Sequence, residues 1–184
     1  MNRRRIARLL NLSSRLPRLQ GVLTRYHARA YVGSGGRRGG RWVGGLPVMV
    51  IETVGRRSGE RRSSPIVYVR DGDGYLVTPA NAGAGRTPAW WLNLEAAGRG
   101  VALVRAERLV VRPRVLLGVE REHAWRAMVD AGVALDDYDS FTERELPIVR
   151  LEPVPSSRSG QVAARPSRPA GRSRAAAQSS SGSG

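Results

Sequence analysis

Cysteine and lysine are absent from this 184-residue chain, phenylalanine occurs once and histidine twice. Without cysteine there are no disulfides, no thiolate metal ligands and no cysteine nucleophile. His27 and His123 both sit on segments of helical pattern, too few for a zinc site or a Ser-His-Asp triad, so no metal is expected. No apolar run has signal-peptide length or the ~20 residues of a membrane span, and a cytoplasmic location is expected. All 31 basic residues are arginine. Such uniform usage across body and ends reflects genome composition more than a binding device, although arginine suits anion contacts.

The formal charge of +16 suggests a nucleic-acid binder only if it is spread over a folded surface. All 15 acidic residues lie between Leu46 and Val154, where 15 arginines balance them. The excess belongs to the ends, with 11 arginines before Leu46 and 5 after Val154. No specific nucleic-acid partner is expected.

Four regions follow. Residues 1–32 form a basic helical segment in which Ile6, Leu9, Leu10 and Leu16 alternate with arginines up to Pro17, followed by a second helix over Leu19–Tyr31. The first helix has two open fates, lying on an anionic membrane or packing on its own domain. Residues 33–45 are a Gly/Arg-rich linker, or a loop that tightens over ligand. Residues 46–154 are the folded domain, and 155–184 a Ser, Arg, Ala and Pro tail without apolar periodicity, expected to be disordered.

Strands are predicted over Val48–Val54, Ser63–Arg70, Tyr75–Pro79, Val101–Arg105, Leu109–Leu117 and Ile148–Leu151. Helices are predicted over Pro88–Ala97, Glu120–Ala131 and Asp136–Thr142. Val48-Met49-Val50-Ile51 reads as a strand covered on both faces, and Asp71-Gly72-Asp73-Gly74 as a hairpin turn. The order β-β-β-α-β-β-α-β implies a mainly β, antiparallel barrel with flanking helices.

The densest information lies in Gly55–Asn93. Gly55-Arg56-Arg57-Ser58-Gly59, followed by Arg61 and Arg62, combines a backbone able to bend toward an anion with guanidinium groups that bind phosphate or carboxylate in pairs. Alone, this is either an ordinary hairpin connection with a solvated charged face or a ligand site.

The wider block decides between them. Glu52-Thr53-Val54-Gly-Arg-Arg-Ser-Gly, Pro65 with Tyr68-Val69-Arg70-Asp71-Gly72, Ala80-Asn81-Ala82-Gly83-Ala84 and Pro88-Ala89-Trp90-Trp91-Leu92-Asn93-Leu94 occur in an order that resembles the deazaflavin-dependent nitroreductase and quinone reductase family. The similarity resumes over Tyr138–Pro153 and spans most of residues 46–153. The resemblance implies a split β-barrel of the FMN-binding type and coenzyme F420, a deazaflavin with a phosphate and an acidic tail; FMN is the lesser alternative.

By position in the motifs, Arg56, Arg57, Ser58 and Arg62 would hold the phosphate and tail. Ser64, Pro65 and Val67 would line the strand near the ring system, Thr78, Ala80 and Asn81 the adjoining strand and loop, and Ala89, Trp90 and Asn93 the helix start. Trp90 and Trp91 also read as aromatics sealing a barrel end. Tyr138 matches a tyrosine bordering the acceptor pocket, or else is a packing tyrosine with its hydroxyl at the surface. The chemistry implied is hydride transfer to a quinone, nitro compound or activated enone, most simply a menaquinone-like acceptor.

The chain departs from the best-known nitroreductase pattern at Ala80, where that pattern has serine, and at Gly132 and Leu135, where it has tyrosines. Asn81 stands where some relatives carry a basic residue. The basic N-terminus would suit peripheral contact with the inner face of a membrane, and a monomer is the expected state. Two other classes stay open: a non-catalytic carrier of deazaflavin, flavin or lipid, and a basic nucleic-acid-associated protein whose binding would fall steeply with salt.

Overall fold

The computed structural model describes Ala28, residues 30–34, 39–42 and 45–155. Within them, β1 (Val48–Val54), β2 (Arg61–Val67), β3 (Val69–Asp71), β4 (Gly74–Val77), β5 (Gly100–Val104), β6 (Glu107–Val115) and β7 (Val149–Pro153) form one antiparallel sheet in the order β2-β1-β5-β6-β7-β4-β3. Three helices flank it: α1 (Ala89–Ala97), α2 (Gly118–Asp130) and α3 (Leu135–Asp139).

The outermost strands, β2 and β3, are separated along the chain by Tyr68 alone. In a flat sheet their axes would lie ~29 Å apart, at ~4.8 Å per strand gap. One residue spans at most ~3.6 Å. The sheet therefore curls until its two edges meet, which makes it the split β-barrel expected from the sequence. A single strand was predicted over Ser63–Arg70. It breaks at Tyr68, whose N–H donates to the Pro47 carbonyl at 3.2 Å as the chain passes from one edge to the other.

Alternation along the strands sorts the core into layers. Met49 and Ile51 of β1, Ile66, Tyr75, Val77, Val149 and Leu151 fill the barrel, and Trp91 and Leu94 of α1 pack with them. Val50, on the opposite face of β1, packs with Ala28 and Tyr31 from the helical turn that precedes Ser34. The run Val48–Ile51 is thus buried on both faces, as its composition predicts. Leu76, Leu116, Ile148 and Leu135 form a second cluster with Ala124 and Met128 of α2.

The hairpin at Asp71–Gly74 turns through Gly72 at φ +58, and Arg150 of β7 secures it with an Nη2 contact to Asp73 Oδ1 at 2.9 Å. β4 ends at Val77, where its pairing with Val149 stops, instead of running to Pro79. α2 begins two residues before the predicted Glu120. Part of the predicted linker is ordered: Arg41 bridges Pro47, and the Gly40 carbonyl accepts the Val48 N–H at 3.0 Å. The predicted helix at Leu19–Tyr31 is described only from Ala28 and continues to Gly33. The first basic helix and the tail beyond Pro155 lie outside the described residues.

At Gly100 the sheet approaches α1 closely. An added Cβ would lie 2.7 Å from Leu94 Cδ1 and 3.0 Å from the Glu52 carbonyl oxygen. Gly100→Ala is expected to destabilise the domain by about 1–3 kcal/mol, read as a lower urea midpoint; an unchanged midpoint would refute the tight seating of α1 on β1.

Candidate cofactor site

The turn after β1 closes on itself. The Gly55 N–H donates to the Glu60 carbonyl and the Gly59 N–H to the Gly55 carbonyl, both at 2.8 Å. Gly59 sits at φ +69. A Cβ on Gly55 would lie 2.7 Å from Ser58 Oγ, so a side chain at either glycine would disturb the turn.

Asn93 anchors this turn from α1. It is 5% exposed, and its Oδ1 accepts both the backbone N–H and the guanidinium Nη1 of Arg56 at 3.2 Å. Arg56 is therefore a strut between turn and helix. Arg62 lies against Glu60 at 2.5 Å in an exposed ion pair, worth little in water. Arg57 and Arg61 are exposed and engage no carboxylate among the described residues. Arg61 was not among the predicted ligands, yet it is one of the two arginines left available.

α1 passes beside the turn at its fifth residue, Asn93. Its N-cap is Pro88, in extended conformation, and no side chain caps its first turn. The Trp91 N–H donates to the Pro88 carbonyl at 3.2 Å, and the Ala89 and Trp90 N–H groups before it lie at the positive dipole end of the helix. Ala89 is exposed and Trp90 half-buried, whereas Trp91 is 5% exposed and belongs to the barrel core. The two indoles meet edge to face at 6.1 Å. Of the pair, Trp90 keeps the more accessible surface while still packing against the core.

β2 divides its predicted residues between faces. Ser64 pairs with Ile51 and lies on the same face as the barrel residue Ile66. Pro65 and Val67 lie on the opposite face, and Val67 packs against the α2 cluster. A ligand meets all three only along the open edge of β2, where a proline is tolerated because no ladder bond is needed from it.

Beyond β4 the chain is held in an unusual shape. Asn81, Ala82 and Gly83 have φ values of +49, +54 and +76, three left-handed residues in succession. For Ala82 this costs roughly 1–2 kcal/mol, whereas asparagine and glycine adopt it readily. Asn81 Nδ2 donates to the Arg86 carbonyl at 3.4 Å. A Cβ on Gly83 would lie 2.8 Å from the Tyr138 carbonyl and 2.9 Å from Phe141 Cβ, so α3 sits directly on this turn and brings Tyr138 to it.

Arg144 Nη2 donates to the carbonyls of Pro79 at 3.0 Å and Ala80 at 3.4 Å. Burial pulls its pKa down, and its Nε is buried without a partner. The motifs assign it no role, and its partners lie 65 and 64 positions away in the chain. Burial raises the Tyr138 phenol above its ordinary value, and the neighbouring Asp137 carboxylate raises it further. The Thr78 hydroxyl is buried without a partner among the described residues, an unspent polar group within the predicted site. Ala80 is buried, and Leu135, where the nitroreductase pattern has tyrosine, is fully buried in the α2 cluster. Gly132 is half-buried at φ +102.

The arginine–glycine turn, the helix start without a side-chain cap and the left-handed loop after β4 are thus features of one split barrel. A model of the F420H(2)-dependent quinone reductase family matches residues 23–153. The chain is 31% identical over 146 residues to an F420H(2)-dependent quinone reductase of Mycobacterium tuberculosis, covering 77% of this chain and 98% of that relative. It is equally similar to a relative from Mycobacterium bovis named for the same activity. A solved F420-H2 dependent reductase, FDR-A, superposes with a TM-score of 0.53 at 28% identity, covering 58% of this chain and 94% of that one. This chain belongs to the F420H(2)-dependent quinone reductase family and is an oxidoreductase. The match narrows the broader resemblance to its quinone-reductase side and gives the FMN alternative no support.

Asn93→Ala removes the acceptor of both Arg56 contacts. It is expected to weaken F420 binding about tenfold, given 1.5–3 kcal/mol for a hydrogen bond to a charged group. Fluorescence titration of the cofactor measures this, and unchanged affinity in the folded variant would show that the tie does not shape the site.

Proposed function

We propose that this protein transfers hydride from reduced F420 to a hydrophobic quinone of the menaquinone type, with the cofactor phosphate and acidic tail at the Gly55–Arg62 turn. The observation that carries the reading is the Arg56–Asn93 tie, which sets a turn whose Arg57 and Arg61 engage no carboxylate among the described residues against α1 one turn past its open start. Bound reduced F420 supplies two electrons as hydride.

The chain's residues do the rest. Arg57 and Arg61 offer paired donors to the anion, joined by Ser58, by Arg62 once it parts from Glu60, and by the N–H groups at Ala89. The Thr78 hydroxyl supplies a donor to a polar atom of the ring system, and its lack of any partner in the described structure is what makes it fit that role. Ser64 and Pro65 line the edge of β2, Ala80 and Asn81 the facing loop, and Trp90 covers the ligand. Arg144 holds the Pro79 and Ala80 carbonyls so that this loop keeps its shape. Tyr138 donates a proton to the acceptor oxygen as hydride reaches the quinone, giving the quinol. The protein works as a monomer, and its basic N-terminal segment brings it to the membrane face where such quinones dissolve.

The test is acceptor-dependent reoxidation of reduced F420 with a menaquinone analogue. Arg57→Ala is expected to raise the apparent Kd for F420 about tenfold. Cofactor binding without reoxidation by quinones, enones and nitro compounds would instead make the protein a carrier, and no binding would overturn the reading.

Tyr138 gives a separate prediction. Its folded pKa is raised, so the fold's preference for the neutral phenol is fully present below the ordinary tyrosine value of ~10 and is lost as pH rises through the raised one. The wild-type kcat should therefore show no decline from this group up to about pH 9. Tyr138→Phe should lower kcat while leaving F420 affinity unchanged. A variant with full kcat would remove Tyr138 from the proton path.

A further inference from the structure

The barrel end opposite the Gly55 turn holds a cavity of about 510 Å³, within the range of small-molecule sites. Its walls include Tyr31, Arg41, Pro47, Tyr68 and Arg105, with the backbone of Gly40, and no acidic residue lines it among the described residues. Val48, at the first position of β1, also borders it, whereas the Gly55 turn follows the last. Seven residues of strand put the two ends ~20 Å apart. An anion at one is not in contact with the other.

We infer that this cavity is a second binding site, for a small molecule bearing a phosphate or carboxylate group. Arg105 lies on the two-residue connection between β5 and β6 with φ +56, a conformation that favours glycine or asparagine. The fold holds an arginine there nonetheless, with its guanidinium free of any carboxylate among the described residues. Its backbone N–H is fixed by the Tyr31 hydroxyl, which accepts it at 2.7 Å and keeps its own proton to donate. The Arg41 guanidinium donates to the Gly45 carbonyl at 3.3 Å and meets no carboxylate among the described residues.

Tyr68 enters from the barrel interior, where it meets Tyr75 edge to face at 5.3 Å. Burial raises both Tyr31 and Tyr68, which keeps each phenol a neutral donor. Two guanidinium groups and two phenols around one cavity make an oxyanion-binding donor set. The inference is independent of the reductase reading.

Calorimetric titration of the full-length protein with phenyl phosphate and, separately, benzoate tests it. Saturable binding of either probe is expected. Binding should weaken about tenfold in Arg105→Gln, which keeps the N–H that Tyr31 accepts, and again in Tyr68→Phe. Arg57→Ala, altered only at the opposite end, should bind as the wild type does. Phenyl phosphate alone would identify a phosphate site, benzoate alone a carboxylate site. Failure of both probes to saturate, or binding lost in Arg57→Ala and kept in both Arg105→Gln and Tyr68→Phe, would overturn the proposal.

Discussion

One residue, Tyr68, joins the two edges of a seven-stranded sheet, and the molecule is organised around that short connection. Because the edges must meet, the sheet encloses a core into which Tyr68 and Tyr75 insert from one side and Trp91 and Leu94 from α1. The same closure brings the open edge of β2 round toward the end of β4. It leaves unpaired backbone beyond Val77, the segment that Arg144 and α3 then shape.

The site is built mainly by residues that fix other residues. Asn93 spends its oxygen on Arg56, Arg144 spends its guanidinium on two carbonyls, and Gly83 yields the space that α3 needs. The left-handed run from Asn81 to Gly83 stores strain that the contacts with α3 and Arg86 hold in place. Among the described residues Arg57, Arg61, the Thr78 hydroxyl and the Tyr138 phenol remain uncommitted, and they are the groups to which the proposed function gives ligand contacts.

Much of the fold was legible in local pattern. The apolar run of β1, the hairpin at Gly72 and the aromatic start of α1 each carry a signal that depends on few distant contacts. The break at Tyr68 was not legible, because Ile66-Val67-Tyr68-Val69 has uniform strand character and the break is imposed by closure. The motif order pointed to the arginine turn but could not divide its arginines. Arg56, Arg57, Arg61 and Arg62 are the same residue type, and their roles differ only through neighbours such as Asn93 and Glu60. Arg144 was hidden for the same reason, since its carbonyl partners lie more than 60 positions away in the chain.

The central claim is that the Gly55–Arg62 turn and the start of α1 together hold the cofactor, and amide hydrogen exchange with and without F420 tests it most directly. The expected result is slowed exchange over residues 55–62 and 80–91 on F420 binding, with the cavity residues at Tyr31 and Arg105 unchanged. Slowed exchange confined to the Tyr31–Arg105 end, with the turn unaffected, would contradict the account.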